Sequence, residues 1–116
     1  MTTIAENAGL VTLINVFTVE PSNQQDLLDL LARATESSVR HVPGFISAAL
    51  HRGVDGTKVT MYAQWKSAEH YQHYRSMLSD PVASPYVQQA LAIAKFEPAM
   101  YDVVKVFAGS SGPDAD

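Results

Sequence analysis

The sequence predicts an α+β fold: a ferredoxin-like, four-stranded antiparallel sheet with helices packed on one face. Strand-like segments fall at residues 10–19, 45–52, 58–65 and about 100–107. Amphipathic helical patterns lie between the first and second of these and between the third and fourth, where a short extra helix follows. The resulting order, β-α-β-β-α-(α)-β, closes most simply as a single antiparallel sheet.

The first strand is rich in Val, Ile, Leu, Phe and Thr, as strands are. It is apolar on both alternating faces, with Leu13 and Phe17 on one and Ile14 and Val16 on the other. A strand of that pattern is covered on both sides. Asn15 is its one strongly polar side chain. Glu20 and Pro21 end it. Ser22 suits an N-cap, and Gln25, three residues on, completes a capping box. Leu27, Leu28, Leu30, Leu31, Ala34 and Val39 then recur at helical spacing. Their arc is wider than one sheet face uses, which points to a second contact. Pro43 and Gly44 break this helix.

Residues 45–52 read as the second strand, and the Val54-Asp55-Gly56-Thr57 turn reverses the chain, Asp-Gly being a strong hairpin signal. In the third strand Val59, Met61, Ala63 and Trp65 share one face; Thr60, Tyr62 and Gln64 share the other. Ser67 caps the second helix, and Glu69 favours its positive end. Tyr71, Tyr74 and Leu78 form its apolar stripe. Asp80 and Pro81 interrupt it. Ser84 and Pro85 fit the start of a third helix, whose inward face carries Tyr86, Val87, Ala90, Leu91 and Ala94. Glu97 and Pro98 precede the last strand.

Such a sheet leaves its second face bare. Ile14, Val16, Tyr62, Val104 and Val106 are expected there. A contiguous apolar face is an interaction surface, so the expectation is a homodimer through the open sheet face.

The chain has 116 residues, which suits one domain, placed at 10–108. Residues 1–9 are expected to be a flexible N-terminus and 109–116, GSSGPDAD, a disordered tail. With no cysteine, disulfides and thiolate metal sites are excluded. The formal net charge of −4 and scattered basic residues argue against nucleic acid and anionic lipid. No apolar run reaches the roughly 18 residues of a membrane span, and the opening residues do not read as a secretory signal. A cytoplasmic protein is expected.

Three segments carry a resemblance: the run NVFTVEP from Asn15 to Pro21, the break Val42-Pro43-Gly44-Phe45, and YAQWKS from Tyr62 to Ser67. In order and spacing they resemble the antibiotic biosynthesis monooxygenase family over most of 10–107. The resemblance implies a dimeric α/β barrel. It also implies oxygenation of aromatic polyketides such as anthrones without metal, flavin or haem. The implied pocket is lined by an asparagine on the first strand, an asparagine on the third, and the tryptophan ending the third. Asn15 and Trp65 match two of these positions, and Met61 stands at the other. The basic or histidine side chain often seen early in the third helix is replaced here by the neighbourhood of Tyr86 and Gln88. Haem-degrading relatives share Asn15 but use a histidine ligand that this chain lacks.

Oxygenation without a cofactor needs an electron-rich anion that gives an electron to O2, donors that favour that anion, and exclusion of water. Asn15 can offer two N–H donors and Trp65 one. Both are the candidate catalytic residues. Phe17, Met61, Tyr71, Tyr74 and Tyr86 are the candidate wall that would bind the substrate ring. Each has a plainer alternative. Asn15 could be satisfied by backbone or by a subunit contact, Trp65 could be a core anchor, and the tyrosines and Met61 could be packing. His70 and His73, three apart on a helix, could chelate, but nothing completes a metal site. His51 is a candidate general base, and His41 suits a helix end.

The reading is a cofactor-independent monooxygenase that uses O2 on a small aromatic: a quinol, a phenol or a polyketide-like anthrone. The alternative on the same fold is a non-redox ligand-binding or stress-response module, or a polyketide cyclase. Met61 in place of asparagine favours that alternative, because it removes a donor.

Overall fold

The computed structural model describes residues 9–77 and 85–110, together with Ile4. The elements are β1 (Val11–Val19), α1 (Gln24–Ser37), β2 (Phe45–Arg52), β3 (Lys58–Trp65), α2 (Ala68–Met77), α3 (Pro85–Ile93) and β4 (Ala94–Tyr101). Short 3-10 turns at Pro21–Asn23 and Val39–His41 flank α1. The strands form one sheet in the order β2-β3-β1-β4, and each neighbouring pair is antiparallel. This is the ferredoxin-like arrangement that the element order implies.

Register sorts the side chains into two faces. Leu13, Asn15 and Phe17 lie opposite Ala63, Met61 and Val59 on β3 and opposite Met100, Pro98 and Phe96 on β4. The helices cover this face. Its core forms two clusters, one around Phe17, Leu27, Leu31, Val59 and Ala90, the other around Leu13, Val39, Ala63, Trp65 and Tyr71. Ile14, Val16, Thr60 and Tyr62 occupy the opposite face. A register shift between Phe45 and Ser47 leaves Ile46 unpaired and 46 % exposed, and it sets Phe45 directly across from Trp65.

Local chemistry explains most of the boundaries. Gly44 adopts φ +91°, which glycine supplies without a Cβ clash, and its carbonyl accepts the Lys66 N–H at 2.8 Å. Gly56 (φ +86°) closes the β2–β3 hairpin. There the Thr57 N–H and hydroxyl both donate to Asp55 and hold its carboxyl below the usual range. The buried Gln24 amide donates to the carbonyls of Gly53 and Lys58 at 2.9 and 3.0 Å, tying α1 to that hairpin. Ser67 caps α2 as expected: its hydroxyl accepts the His70 N–H at 3.2 Å.

Three expectations are corrected. The last strand spans Ala94–Tyr101, six residues before the expected 100–107. Ala94 therefore starts β4 rather than belonging to α3, and Val104 and Val106 lie beyond the sheet, 78 % and 41 % exposed. Pro98, expected to precede the last strand, lies within it, because β4 is an edge strand, where a missing N–H breaks no ladder. The capping box at Ser22 and Gln25 does not form. Residues Pro21–Asn23 make a 3-10 turn, Asn23 precedes α1 with no side-chain cap, and Gln25 donates to Asp29 instead. Val39 sits on the second 3-10 turn rather than on α1, though it is buried as expected. Leu78, Asp80, Pro81 and Ser84, with most of the two termini, lie outside the described residues.

Candidate active site

β1 and β3 run side by side through the centre of the sheet, so their helix-facing side chains form a floor. Ala63 lies between Met61 and Trp65 on that floor, and its single methyl leaves a hollow. A cavity of about 70 Å³ fills it. The sheet contributes Leu13, Asn15, Phe17, Phe45, Met61, Ala63, Trp65 and Phe96 to its wall. The roof comes from Leu31, Ala34 and Thr35 on α1, Tyr71, Tyr74 and Arg75 on α2, and Val87, Ala90 and Leu91 on α3. Arg75 is the one charged side chain among the described lining residues.

Trp65 ends β3 and is 1 % exposed. Three rings hold its indole. Phe45 meets it edge-on, with centroids 5.5 Å apart at 86°. Tyr71 does likewise at 5.6 Å and 66°. Tyr74 lies stacked on it at 5.5 Å and 26°. Arg75 Nη1 donates to the Tyr71 hydroxyl at 3.2 Å, while its guanidinium sits over the Phe96 ring, 5.6 Å from the centroid. The Tyr74 hydroxyl is pushed from 10.0 up to about 12, chiefly by burial and then by Tyr71, with Arg75 opposing.

Two polar atoms in this wall, Asn15 Oδ1 and Trp65 Nε1, are buried and have no hydrogen-bond partner among the described residues. Such atoms are uncommon in folded proteins and cost free energy. For Asn15 the sheet explains the isolation. Its cross-strand neighbours are Met61 and Pro98, whose side chains have no donor for the carboxamide oxygen. The amide and the indole N–H thus remain available to a polar group entering an otherwise apolar chamber.

Of the candidate residues, Asn15, Trp65, Phe17, Met61, Tyr71 and Tyr74 line this one cavity, and Tyr86, half-buried on α3, is not among the described lining residues. His51 pairs with Thr60 and is exposed on the opposite sheet face, away from the cavity. His70 is bound to Ser67, and His41 and His73 are exposed. No group of three metal-ligating side chains occurs among the described residues. Arg75 was not anticipated. Its signal in the sequence is its place one helical turn after Tyr71, on the same face of α2.

The sequence pattern of the antibiotic biosynthesis monooxygenases matches residues 10–92, most of the chain. The chain belongs to the antibiotic biosynthesis monooxygenase family. A relative within reach of the family, tetracenomycin-F1 monooxygenase of Streptomyces glaucescens, is 38% identical over 114 residues, covering 98% of each chain. The solved monooxygenase from ActVA-Orf6 of Streptomyces coelicolor, in complex with nanaomycin D, superimposes with TM-score 0.70 at 26% identity, over 86% of this chain and 92% of that one. SnoaB, a cofactor-independent oxygenase from Streptomyces nogalater, has the same fold at 24% identity (TM-score 0.66, 85% and 97% covered). The family's fold accounts for the helices on one sheet face. Among the described residues no helix is long and apolar enough to cross a membrane.

Proposed function

We propose that this antibiotic biosynthesis monooxygenase family member is a cofactor-independent monooxygenase that adds oxygen from O2 to a flat phenolic or polyketide-like aromatic. One observation carries the reading. Asn15 and Trp65, each with a buried polar atom that lacks a partner among the described residues, line the same apolar cavity. The 38% identity to tetracenomycin-F1 monooxygenase over nearly the whole chain supports the substrate class. The described lining also offers no carboxylate, imidazole or thiol to hold a metal.

The chemistry balances without an added reductant. An anthrone's methylene, conjugated through its flanking rings with the carbonyl across the central ring, loses a proton to give an electron-rich anthrolate, called the enolate below. The enolate passes one electron to O2, and the two radicals combine to a peroxide. Loss of water leaves a carbonyl at the former methylene. Both oxygen atoms and four electrons are then accounted for: one oxygen in the product, one in water. In this scheme Asn15 and Trp65 donate N–H groups to the substrate oxygen that carries the negative charge. The carboxamide turns over to present its nitrogen. Phe17, Met61 and Tyr71 hold the ring and keep water out.

The reading includes a homodimer through the open sheet face, in the cytoplasm. Support for the dimer comes from half-buried Ile14 and Val16 on that face and from the Tyr62 hydroxyl, which is buried with no partner among the described residues.

Oxygen uptake with anthrone and hydroquinone panels tests the reading, wild type against Asn15→Ala and Trp65→Phe. One O2 consumed per anthrone is expected, with Asn15→Ala slower by about 100-fold, the usual effect of removing an oxyanion donor. Equal rates in all three proteins would remove both residues from the mechanism. Stoichiometric iron or haem would overturn cofactor independence. Met61, beside Asn15 in the register, favours the second reading, a cyclase or binding module. Substrate conversion or a ligand-dependent thermal shift without oxygen consumption would establish that one instead.

A further inference from the structure

The cavity is too small for the substrate just proposed. Its volume is about 70 Å³, under half of the roughly 150 Å³ of an apolar cavity that takes up one benzene ring. A ligand of two or three fused rings enters only if part of the lining gives way.

The lining differs in how firmly it is held. Trp65 is 1 % exposed, in a strand flanked on both sides, with Phe45 and Tyr71 set edge-on against it. Tyr71 is 5 % exposed, and Arg75 donates to its hydroxyl. Arg75 is held by that bond and by the Phe96 ring. Tyr74 is different. It is half-buried, and no hydrogen bond among the described residues holds its hydroxyl. Its ring lies nearly parallel to the indole at 5.5 Å, whereas the other two rings meet the indole at steep angles. An offset, near-parallel stack is also the arrangement a flat aromatic ligand prefers on an indole.

We infer that Tyr74 is a placeholder for the substrate. Its ring occupies the face of Trp65 that a fused-ring aromatic takes, and it swings aside on binding. The side chain at position 74 therefore sets how large a ring system the site accepts. This rests on the reading of the cavity as the substrate site.

Trp65 is the single tryptophan, so tryptophan fluorescence reports on the surroundings of this indole. The probe is 1,8-dihydroxyanthraquinone, already oxidised and unable to turn over. Titration of the wild type should quench Trp65, and Tyr74→Ala should bind the probe about tenfold more tightly, because no ring has to be displaced. Tyr74→Leu serves as a second variant that keeps bulk in the helix packing, and it should also bind more tightly. In the wild type, nitration of Tyr74 by tetranitromethane, read by mass spectrometry, should rise when the probe is bound. Weaker binding by both variants, or nitration that falls with probe, would make Tyr74 a wall of the site and overturn the inference. Absence of quenching in wild type and variants alike would overturn it too. The two readings fail separately. Tight probe binding by Tyr74→Ala with no oxygen uptake on anthrone sinks the oxygenase but keeps the placeholder. Normal uptake with weakened probe binding does the reverse.

Discussion

Asn15 shows what a functional residue costs a small core. Its carboxamide oxygen is buried with no partner among the described residues, so replacing it with an apolar side chain of similar shape removes a penalty rather than a bond. Asn15→Leu should therefore stabilise the fold by about 1–2 kcal/mol while oxygen uptake falls by about 100-fold or more. Urea denaturation beside an oxygen electrode checks both. A destabilised Asn15→Leu would mean that the amide is paired in solution. Tyr74 allows a second prediction at this scale. Its hydroxyl titrates near 12 in the folded chain against an ordinary 10.0. The unfolded state thus releases the proton first, so the stability tied to this group is whole below pH 10 and declines as pH climbs through 12. The decline is on the order of 1 kcal/mol per pH unit in that window, and Tyr74→Phe should flatten it. Denaturant midpoints from pH 9 to 11.5 read the difference. The residues legible in the sequence were those with an unusual identity for their place: a lone amide in an apolar strand, a lone indole at a strand end. Arg75 was not legible, because one arginine on a polar helix looks like a solvated face until the fold turns it inward.

Among the elements, the link from α1 to β2 is the most tightly specified. Gly44 holds φ +91°, and a Cβ there would run into the His70 ring. Gly56 has a similar φ of +86°, but a Cβ there meets nothing nearer than Pro21 at 3.6 Å. Gly56→Ala should therefore cost only the backbone term, about 1–2 kcal/mol. Gly44→Ala adds a steric clash worth about 1–3 kcal/mol more. Thermal melts of the two variants should separate in that order, and equal shifts would mean that His70 yields freely. The Pro43-Gly44 break was readable because both residues have fixed backbone demands. The same rule misled at Pro98. A proline stops a central strand but not an edge strand, and edge position is a property of the whole sheet that no local window contains. The alternation from Ala94 to Tyr101, inward and outward in turn, was the better signal. The Ser22 cap failed for a related reason: Pro21 fits the start of a 3-10 turn as well as the approach to an α-helix, and the chain takes the tighter turn first.

At the scale of the whole molecule, one sheet separates two jobs. The helix-covered face holds the chamber. The other face carries Ile14, Val16 and Tyr62, and the Tyr62 hydroxyl has no partner among the described residues. Val16 pairs with Thr60 and Glu97 near the middle of that face, far from any helix. A charge placed there would have to be buried if two sheets meet, and a buried unpaired charge is expensive. The wild type should therefore scatter light with the mass of two 12.6 kDa chains, and Val16→Asp with the mass of one. Trp65 faces away from the proposed contact, so its emission maximum should be the same in both proteins. A monomeric wild type at micromolar concentration would leave the apolar face to some other partner. A Val16→Asp variant that shifts the Trp65 emission would mean that dimer contact and chamber are coupled through the sheet, and then the substrate site could not be treated as the work of one chain.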